Sequence, residues 1–360
     1  MPSSISSSDQ PVIERPIPRL AWTVAGMAAL ATFVVLLGGW EWHWRDFGAA
    51  PTYRNSDGLW AIQRRLVDRI EGDKTIIIGS SRVLFDIQLP VWEEVAGEKP
   101  IQLALEGTSP IIFLQDLADD PDFTGMLIVG VTPDLYFTDF GVRRLDALDY
   151  YRQETPSQWF GQRVSMAIEP YLGFYEEDYA LFVVLRRLPW PAREGVTPYR
   201  DVRRLAVMAA DRNTRLWSKL ENDVAYRDYA RNVWMQLGPP PGVPEEELRR
   251  MAAAGVEKAI AATRQALDKL EARGVDVIFV RMPSSGGFYA AERKRMPREQ
   301  SWDRLIAETG AIGIHFEDHA GLQGLDTPEW SHLSGADAER ATRSLYAIIR
   351  DELARRETQE

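Results

Sequence analysis

The eight residues TIIIGSSR, numbers 75–82, decide the fold class of this 360-residue chain. Thr75–Ile78 is a short β-branched run between Gly72-Asp73 and Gly79, which is typical of a strand buried on both faces of a parallel sheet. The Gly-Ser-Ser that follows lies where such a strand ends and a helix begins. Because active sites of open α/β sheets lie beyond the carboxyl ends of the strands, this turn is the first candidate for chemistry.

Similar strand and helix patterns recur on both sides of this stretch. Their alternation, with continuous apolar strands, predicts a doubly wound α/β sheet. Between them, aromatic residues and helical periodicity predict a mainly helical insertion at 139–244, which divides the α/β domain into residues 41–138 and 245–360. The predicted helices cover about 57–71, 109–117, 245–273 and 300–308, with a C-terminal helix after 334, and the predicted strands cover 75–78, 101–105, 126–131, 275–280 and 312–316.

The composition excludes several classes of function. A net charge of −11 makes a nucleic-acid partner unfavourable, because such partners need a basic surface. The chain has no cysteine, which excludes disulfides, thiolate metal sites and a cysteine nucleophile. Any imidazole chemistry must use one of four histidines, which are His43, His315, His319 and His332.

Residues 21–40 (AWTVAGMAALATFVVLLGGW) carry no charge and are long enough to cross a bilayer. The alternatives are a cleaved signal peptide and a buried core helix, but Gly39-Trp40-Glu41 makes a poor cleavage site. We therefore predict an uncleaved signal anchor, preceded by a disordered cytoplasmic tail at 1–20. The free N-terminal amine favours a cytoplasmic N-terminus, which in a bacterium places the remaining chain in the periplasm, anchored to the inner membrane by a single span.

Two short motifs contain the residue types of nucleophilic catalysis. Ser81 lies on a predicted strand-to-helix turn, which presents its hydroxyl and frees its backbone N–H for an oxyanion. Glu329 precedes His332 by three residues, so that on a helical turn its carboxylate can accept the Nδ1 proton and leave Nε2 as a base. The alternatives are an anion-binding nest at Gly79–Arg82 and a surface ion pair at Glu329/His332.

Other residues are candidates for binding a substrate or a metal. Arg82, together with Arg281 and Ser284 in the loop after a predicted strand, is a candidate for substrate binding. His315 and His319 have a spacing that suits a metal on a helix, but the surrounding sequence predicts a strand, where they lie far apart. We therefore predict neither a metal nor a cofactor.

Together, the serine turn and the Glu–His motif resemble the SGNH (GDSL-type) hydrolase family. In that family a Gly-Asp-Ser block carries the nucleophile, and Gly79-Ser80-Ser81 makes Ser81 the matching residue. The family's closing Asp-x-x-His block corresponds to Glu329-Trp-Ser-His332, with Glu in place of Asp. The resemblance implies a three-layer α/β/α, flavodoxin-like parallel sheet and a catalytic triad of Ser81, His332 and Glu329.

The same resemblance implies an oxyanion hole. The N–H of Ser81 supplies one donor, and Gly107 matches the glycine of the family's second block. The third block, Gly-x-Asn-Asp in the family, falls at residues 130–133 and places Thr132 where the family has an asparagine. A threonine hydroxyl can still donate, but its reach is shorter.

Divergent SGNH members with a Gly-Ser-Ser block include membrane-anchored accessory proteins of cell-surface polysaccharide acylation, and this chain is similar to them. The resemblance implies a serine esterase or O-acyltransferase acting on an acylated glycan or another ester. It also implies a membrane-bound O-acyltransferase as a partner. The alternative is a non-catalytic accessory protein that binds glycan or such an acyltransferase.

Overall fold

The computed structural model of the protein describes residues 19–69, 71–138, 144–188, 202, 204–236, 238 and 242–359. The chain forms two compact units, Met1–Ala49 and Ala50–Glu360. Most of the predicted disordered tail, and the proline run at 239–241, lie outside the described residues.

The first unit contains one helix, α1 (Arg19–Phe47), among its described residues. At 1.5 Å per residue its 29 residues extend about 44 Å, more than a bilayer core requires. Its segment Ala21–Phe47 is long and apolar enough to cross a membrane, as the sequence predicted. The helix continues seven residues beyond the predicted end at residue 40, and the rings of Trp40 and Trp44 meet edge-on there, 5.7 Å apart.

The second unit is built on a five-stranded parallel sheet, which confirms the predicted α/β class. Its strands are β1 (Lys74–Ile78), β2 (Ile101–Gln102), β3 (Gly125–Gly130), β6 (Asp276–Arg281) and β7 (Ile312–His315), in the spatial order β2-β1-β3-β6-β7. Two further strands, β4 (Ala206–Met208) and β5 (Thr214–Leu216), form a separate antiparallel hairpin. Ile76–Ile78 and Leu127–Val129 are completely buried, which explains the uninterrupted apolar runs in the sequence.

The helices of this unit follow the predicted alternation. Six of them contribute side chains, together with alternate strand residues, to one hydrophobic core. The helices are α2 (Asp57–Val67), α3 (Ser81–Asp86), α4 (Leu89–Ala96), α5 (Ile111–Asp119), α6 (Pro133–Tyr136), α7 (Leu145–Gln153), α8 (Pro156–Ile168), α9 (Leu181–Arg186), α10 (Ser218–Asn222), α11 (Val224–Trp234), α12 (Glu245–Glu271), α13 (Gly286–Arg295), α14 (Trp302–Thr309) and α15 (Gly335–Gln359).

Three local features differ from the sequence-based expectations. β2 has two residues rather than five, although Leu103 and Leu105 still donate backbone hydrogen bonds to Ile77 and Gly79 at 2.8 and 3.0 Å. The expected loop after β6 is followed directly by helix α13. This helix was not predicted, because it begins at Gly286 and glycine has a low helix propensity. The segment predicted to be a helical insertion contains helices α7–α11 among its described residues, together with the unpredicted β4–β5 hairpin.

Candidate active site

Ser81 is placed by a turn that only glycine allows. Gly79 has φ +151°, and a Cβ there would lie 2.4 Å from Val83 Cγ2 and 3.0 Å from Gly130 Cα. The chain therefore passes from β1 into α3 within two residues, and Ser81 becomes the first residue of α3. This is the carboxyl end of a central strand, where open α/β sheets carry their sites.

Glu329 and His332 form a buried, hydrogen-bonded pair in the loop before α15. His332 Nδ1 lies 2.7 Å from Glu329 Oε1, and the backbone N–H of His332 donates to the same oxygen at 2.7 Å. The spacing predicts a helical turn, but the turn is not helical, because Trp330 has φ +78°. The carboxylate itself closes the turn, so that one side chain fixes both the backbone and the ring of His332.

The second ring nitrogen of His332, Nε2, makes no hydrogen bond within the described part of the chain. With Nδ1–H donating to Glu329, this buried atom carries the lone pair. The ring of Phe85 stacks on the imidazole with centroids 4.3 Å apart. The expected hydrogen bond between Ser81 Oγ and His332 is not formed in this structure. Both residues line the same groove of about 1500 Å³, which also exposes Gly107 and Thr132.

Helix α11, in the insertion, holds the Glu–His turn. Trp234 Nε1 donates to Glu329 Oε2, so both carboxylate oxygens accept hydrogen bonds. Arg231 Nε donates to the carbonyl of Pro328 at 2.9 Å, and its guanidinium lies over the Trp330 ring, 5.1 Å from the centroid. No sequence pattern connects these residues, because Trp234 lies 95 positions from Glu329.

The β4–β5 hairpin holds the loop that leads to Gly107. Arg212 is completely buried and donates to the carbonyls of Gln102 and Ala104, just after β2. Burial lowers the pKa of Arg212 to about 10. Gly107 itself has φ +63°, a conformation that glycine adopts without strain, and it lies on the groove wall. The insertion thus supports two separate loops of the candidate site.

Thr132 follows β3, at the carboxyl edge of the sheet. Its hydroxyl hydrogen-bonds to the hydroxyl of Ser80, a fully buried side chain. Thr132 precedes the first residue of α6 and lines the groove. The Thr132 hydroxyl, which the family resemblance placed in an oxyanion hole, is therefore hydrogen-bonded to Ser80 in this structure.

Arg82, Arg281 and Ser284 are brought together, but around a carboxylate that the sequence analysis did not select. Arg82 donates to both oxygens of Glu292, at 2.9 and 3.2 Å, and Arg281 donates to one of them at 2.6 Å. Ser284 Oγ donates to the same carboxylate at 3.2 Å. Of the three candidates, only Arg82 lines the groove among the described residues.

The buried cluster around Glu292 shows mutual pKa effects. Burial disfavours the charged form of Glu292, but Arg281 and Arg82 outweigh it and lower the pKa of the carboxyl below its usual value. Burial and the neighbouring Arg82 lower the pKa of Arg281 to about 10. The cluster therefore joins α3, β6 and α13 next to the turn that carries Ser81.

Asp86 connects α3 to the histidine loop. Its Oδ1 accepts the Leu333 N–H at 2.9 Å, while the buried Oδ2 has no partner among the described residues. Burial raises the pKa of Asp86 well above its usual value; Arg82 opposes this rise and Glu329 adds to it. The side chain therefore links α3, which begins at Ser81, to the residue after His332.

No group of three or more metal-ligating side chains occurs in the described part of the chain. His315 Nδ1 accepts the Glu317 N–H at 3.2 Å, and burial together with Arg298 lowers the pKa of His315 to about 3. This histidine is therefore a neutral structural residue, and His332 is the imidazole that faces the groove.

The sequence matches no protein-family model, and no curated protein is significantly similar to it. The function must therefore be argued from the geometry of the site. Its central elements are a buried carboxylate–histidine pair and a serine at the carboxyl end of a strand, and the histidine and the serine line one groove.

Proposed function

We propose that this chain is a membrane-anchored SGNH-like serine esterase or O-acyltransferase that acts on ester-modified cell-surface glycan. One observation carries the proposal. His332 is oriented through Nδ1 by the fully buried Glu329, its Nε2 has no partner among the described residues, and it shares a groove with Ser81. A base, its orienting carboxylate and a hydroxyl in one concavity are the components of acyl transfer through a serine.

In the proposed reaction, Ser81 Oγ attacks the ester carbonyl carbon and its proton passes to His332 Nε2. Glu329 stabilises the imidazolium that results, through the 2.7 Å contact with Nδ1. The tetrahedral intermediate collapses, the ester C–O bond breaks, and the leaving alcohol takes the proton from Nε2. Water then gives a carboxylic acid from the acyl-serine, or a sugar hydroxyl gives a new ester.

Charge on the carbonyl oxygen needs donors in the transition state. The N–H groups of Ser81 and Gly107 are the proposed donors, with the Thr132 hydroxyl as a third after it leaves Ser80. The hydrogen bond from Ser81 to His332 forms in the substrate complex, since catalytic hydrogen bonds are often long in unoccupied sites.

The fold and the anchor support this assignment at a coarser level. Counting only the sheet strands in chain order, their spatial order is 2-1-3-4-5, which supports the flavodoxin-like, three-layer arrangement of the SGNH family. Helix α1 supports a single-pass anchor, and we propose that it places the second unit in the periplasm of a bacterium.

A second candidate is a non-catalytic SGNH-like accessory protein that binds glycan or a membrane-bound O-acyltransferase. Two observations favour it. Ser81 and His332 are not hydrogen-bonded to each other, and the Thr132 hydroxyl is bonded to Ser80 rather than presented to the groove. Such a protein would use the groove for binding alone.

Fluorophosphonate labelling separates the two candidates. The full-length chain in phospholipid nanodiscs is treated with a fluorophosphonate and assayed on a simple acetyl ester. The esterase proposal predicts labelling and turnover that are lost in Ser81→Ala and His332→Ala. Ser331→Ala is the matched control, since Ser331 lines the same groove next to His332 and should keep both activities. A folded wild-type protein that neither labels nor turns over would favour the accessory role.

A further inference from the structure

The groove that contains Ser81 is far larger than an acetyl group requires. Its volume of about 1500 Å³ exceeds the roughly 300–1,000 Å³ of typical small-molecule pockets. Much of its wall is hydrocarbon, contributed beside Ser81 by Leu84, Phe85, Leu135, Phe137, Phe288 and Met296.

Helices α6, α12 and α13 all contribute lining residues to the groove, and we call the part that they line the arm. Leu248, Met251 and Ala252 of α12 form one wall, and residues of α6 and α13 form the others. Gly255 brings α12 against the chain after α6, because a Cβ there would lie 2.3 Å from the Phe137 carbonyl oxygen. An ion pair between Arg295 and Asp134 joins α13 to α6.

This lining suits a hydrocarbon chain better than a sugar. Charged side chains of the same helices also line the groove, but Asp134 is paired with Arg295 and Glu245 with Arg249, and Lys258 and Lys294 are exposed. The aliphatic and phenyl side chains of the arm have no group that hydrogen-bonds a hydroxyl, and a hydroxyl buried without a partner lowers affinity. A methylene needs no partner, and each one that leaves water for an apolar site raises affinity by roughly fourfold.

We infer that the arm between α6, α12 and α13 binds a long acyl chain, so that the ester cleaved or transferred by Ser81 carries a fatty acyl group rather than an acetyl group. The inference rests on the proposed function, because it places the ester carbonyl at Ser81 and the chain in the arm. It goes further by naming the acyl group that the site selects.

Alkyl fluorophosphonates of different chain length test this directly. The full-length chain in nanodiscs is treated with ethyl, hexyl and dodecyl fluorophosphonates, and the second-order rate of inactivation is measured for each. The serine oxygen bonds to phosphorus, fluoride leaves, and the serine proton passes to His332. Long probes also partition into the bilayer, so the readout is the dodecyl-to-ethyl rate ratio of each variant relative to the wild type.

Two pairs of neighbouring alanines provide matched variants. Ala291 lines the groove while Ala290, beside it on α13, is exposed and does not. Ala252 and Ala253 differ in the same way on α12. We expect Ala291→Trp and Ala252→Trp to lower the dodecyl-to-ethyl ratio at least tenfold. Ala290→Trp and Ala253→Trp should keep the wild-type ratio.

The outcomes distinguish this inference from the proposed function. A ratio that is the same in all four variants and the wild type would overturn the acyl-chain site while leaving the serine hydrolase intact. No reaction with any probe would overturn the hydrolase itself. In that case binding of the fluorescent fatty acid cis-parinaric acid to Ser81→Ala decides the site, and binding that Ala291→Trp does not weaken contradicts it.

Discussion

Asp86 provides a prediction that depends only on the fold. It is completely buried, its Oδ1 accepts the Leu333 N–H at 2.9 Å, and burial raises its pKa well above the usual value. We therefore expect the neutral acid to be the form that the fold accommodates. Asp86→Asn keeps the acceptor and is always neutral, whereas Asp86→Ala removes the acceptor.

The expected magnitudes follow from these contacts. Asp86→Ala leaves the buried Leu333 N–H without a partner, which costs about 1–3 kcal/mol of unfolding free energy, in addition to the cavity. Asp86→Asn avoids that loss. The wild type has a pH dependence that Asn lacks: since the folded pKa is raised, this group's contribution is complete below the unfolded pKa and is lost as the pH rises through the folded pKa. Each unit of that shift is worth about 1.4 kcal/mol.

Thermal unfolding of the full-length chain in nanodiscs, followed by tryptophan fluorescence, measures these differences. Between about pH 4 and pH 8 we expect Asp86→Asn to gain stability relative to the wild type as the pH rises. Asp86→Ala should be the least stable of the three near pH 4. Asp86→Asn as unstable as Asp86→Ala, or a constant difference from the wild type across this range, would refute the reasoning that Asp86 is neutral when folded.

Three further predictions test other contacts. Trp234→Phe removes the donor to Glu329 Oε2 and should lower kcat/KM for a short ester about tenfold. Trp159→Phe, at an exposed position, should leave kcat/KM unchanged, and equal rates for the two variants would contradict this role for α11. Glu292→Gln leaves two buried guanidinium groups without their carboxylate and should cost about 3–5 kcal/mol in thermal or urea unfolding, and a cost below about 1 kcal/mol would show that the cluster is not ionic. Gly79→Ala should prevent stable folding, because its Cβ would meet Val83. Gly97→Ala, also at positive φ but in open space, should lower the unfolding free energy by only about 1–2 kcal/mol. Comparable melting temperatures for the two variants would show that close packing at Gly79 is not essential.

The elements that the sequence predicts correctly are those that a short stretch of residues identifies by itself. The β-branched run at 75–78 and the uncharged stretch at 21–40 each identify an element without reference to the rest of the chain, and both elements are present. Glu329 and His332 were paired because they are three residues apart, and they are hydrogen-bonded, although through a turn rather than a helix.

The supporting residues could not be predicted in this way, because their partners are distant in the sequence. Arg82 meets Glu292 across 210 positions, and Asp86 meets Leu333 across 247. Arg212 lies in the turn between β4 and β5, and nothing in the neighbouring sequence indicates that it is buried against the chain after β2. Tertiary packing decides these contacts, and charge or propensity at one position carries no information about them.

The central claim is that Ser81 forms a covalent acyl intermediate, and trapping that intermediate tests it most directly. The full-length chain in nanodiscs is mixed with an activated ester, quenched with acid within the first turnover, and analysed by peptide mass spectrometry. We predict an acyl group on Ser81 that is absent in Ser81→Ala and accumulates far more slowly in His332→Ala. An acyl group found only on another residue, or none on Ser81 while the ester is being hydrolysed, would contradict it.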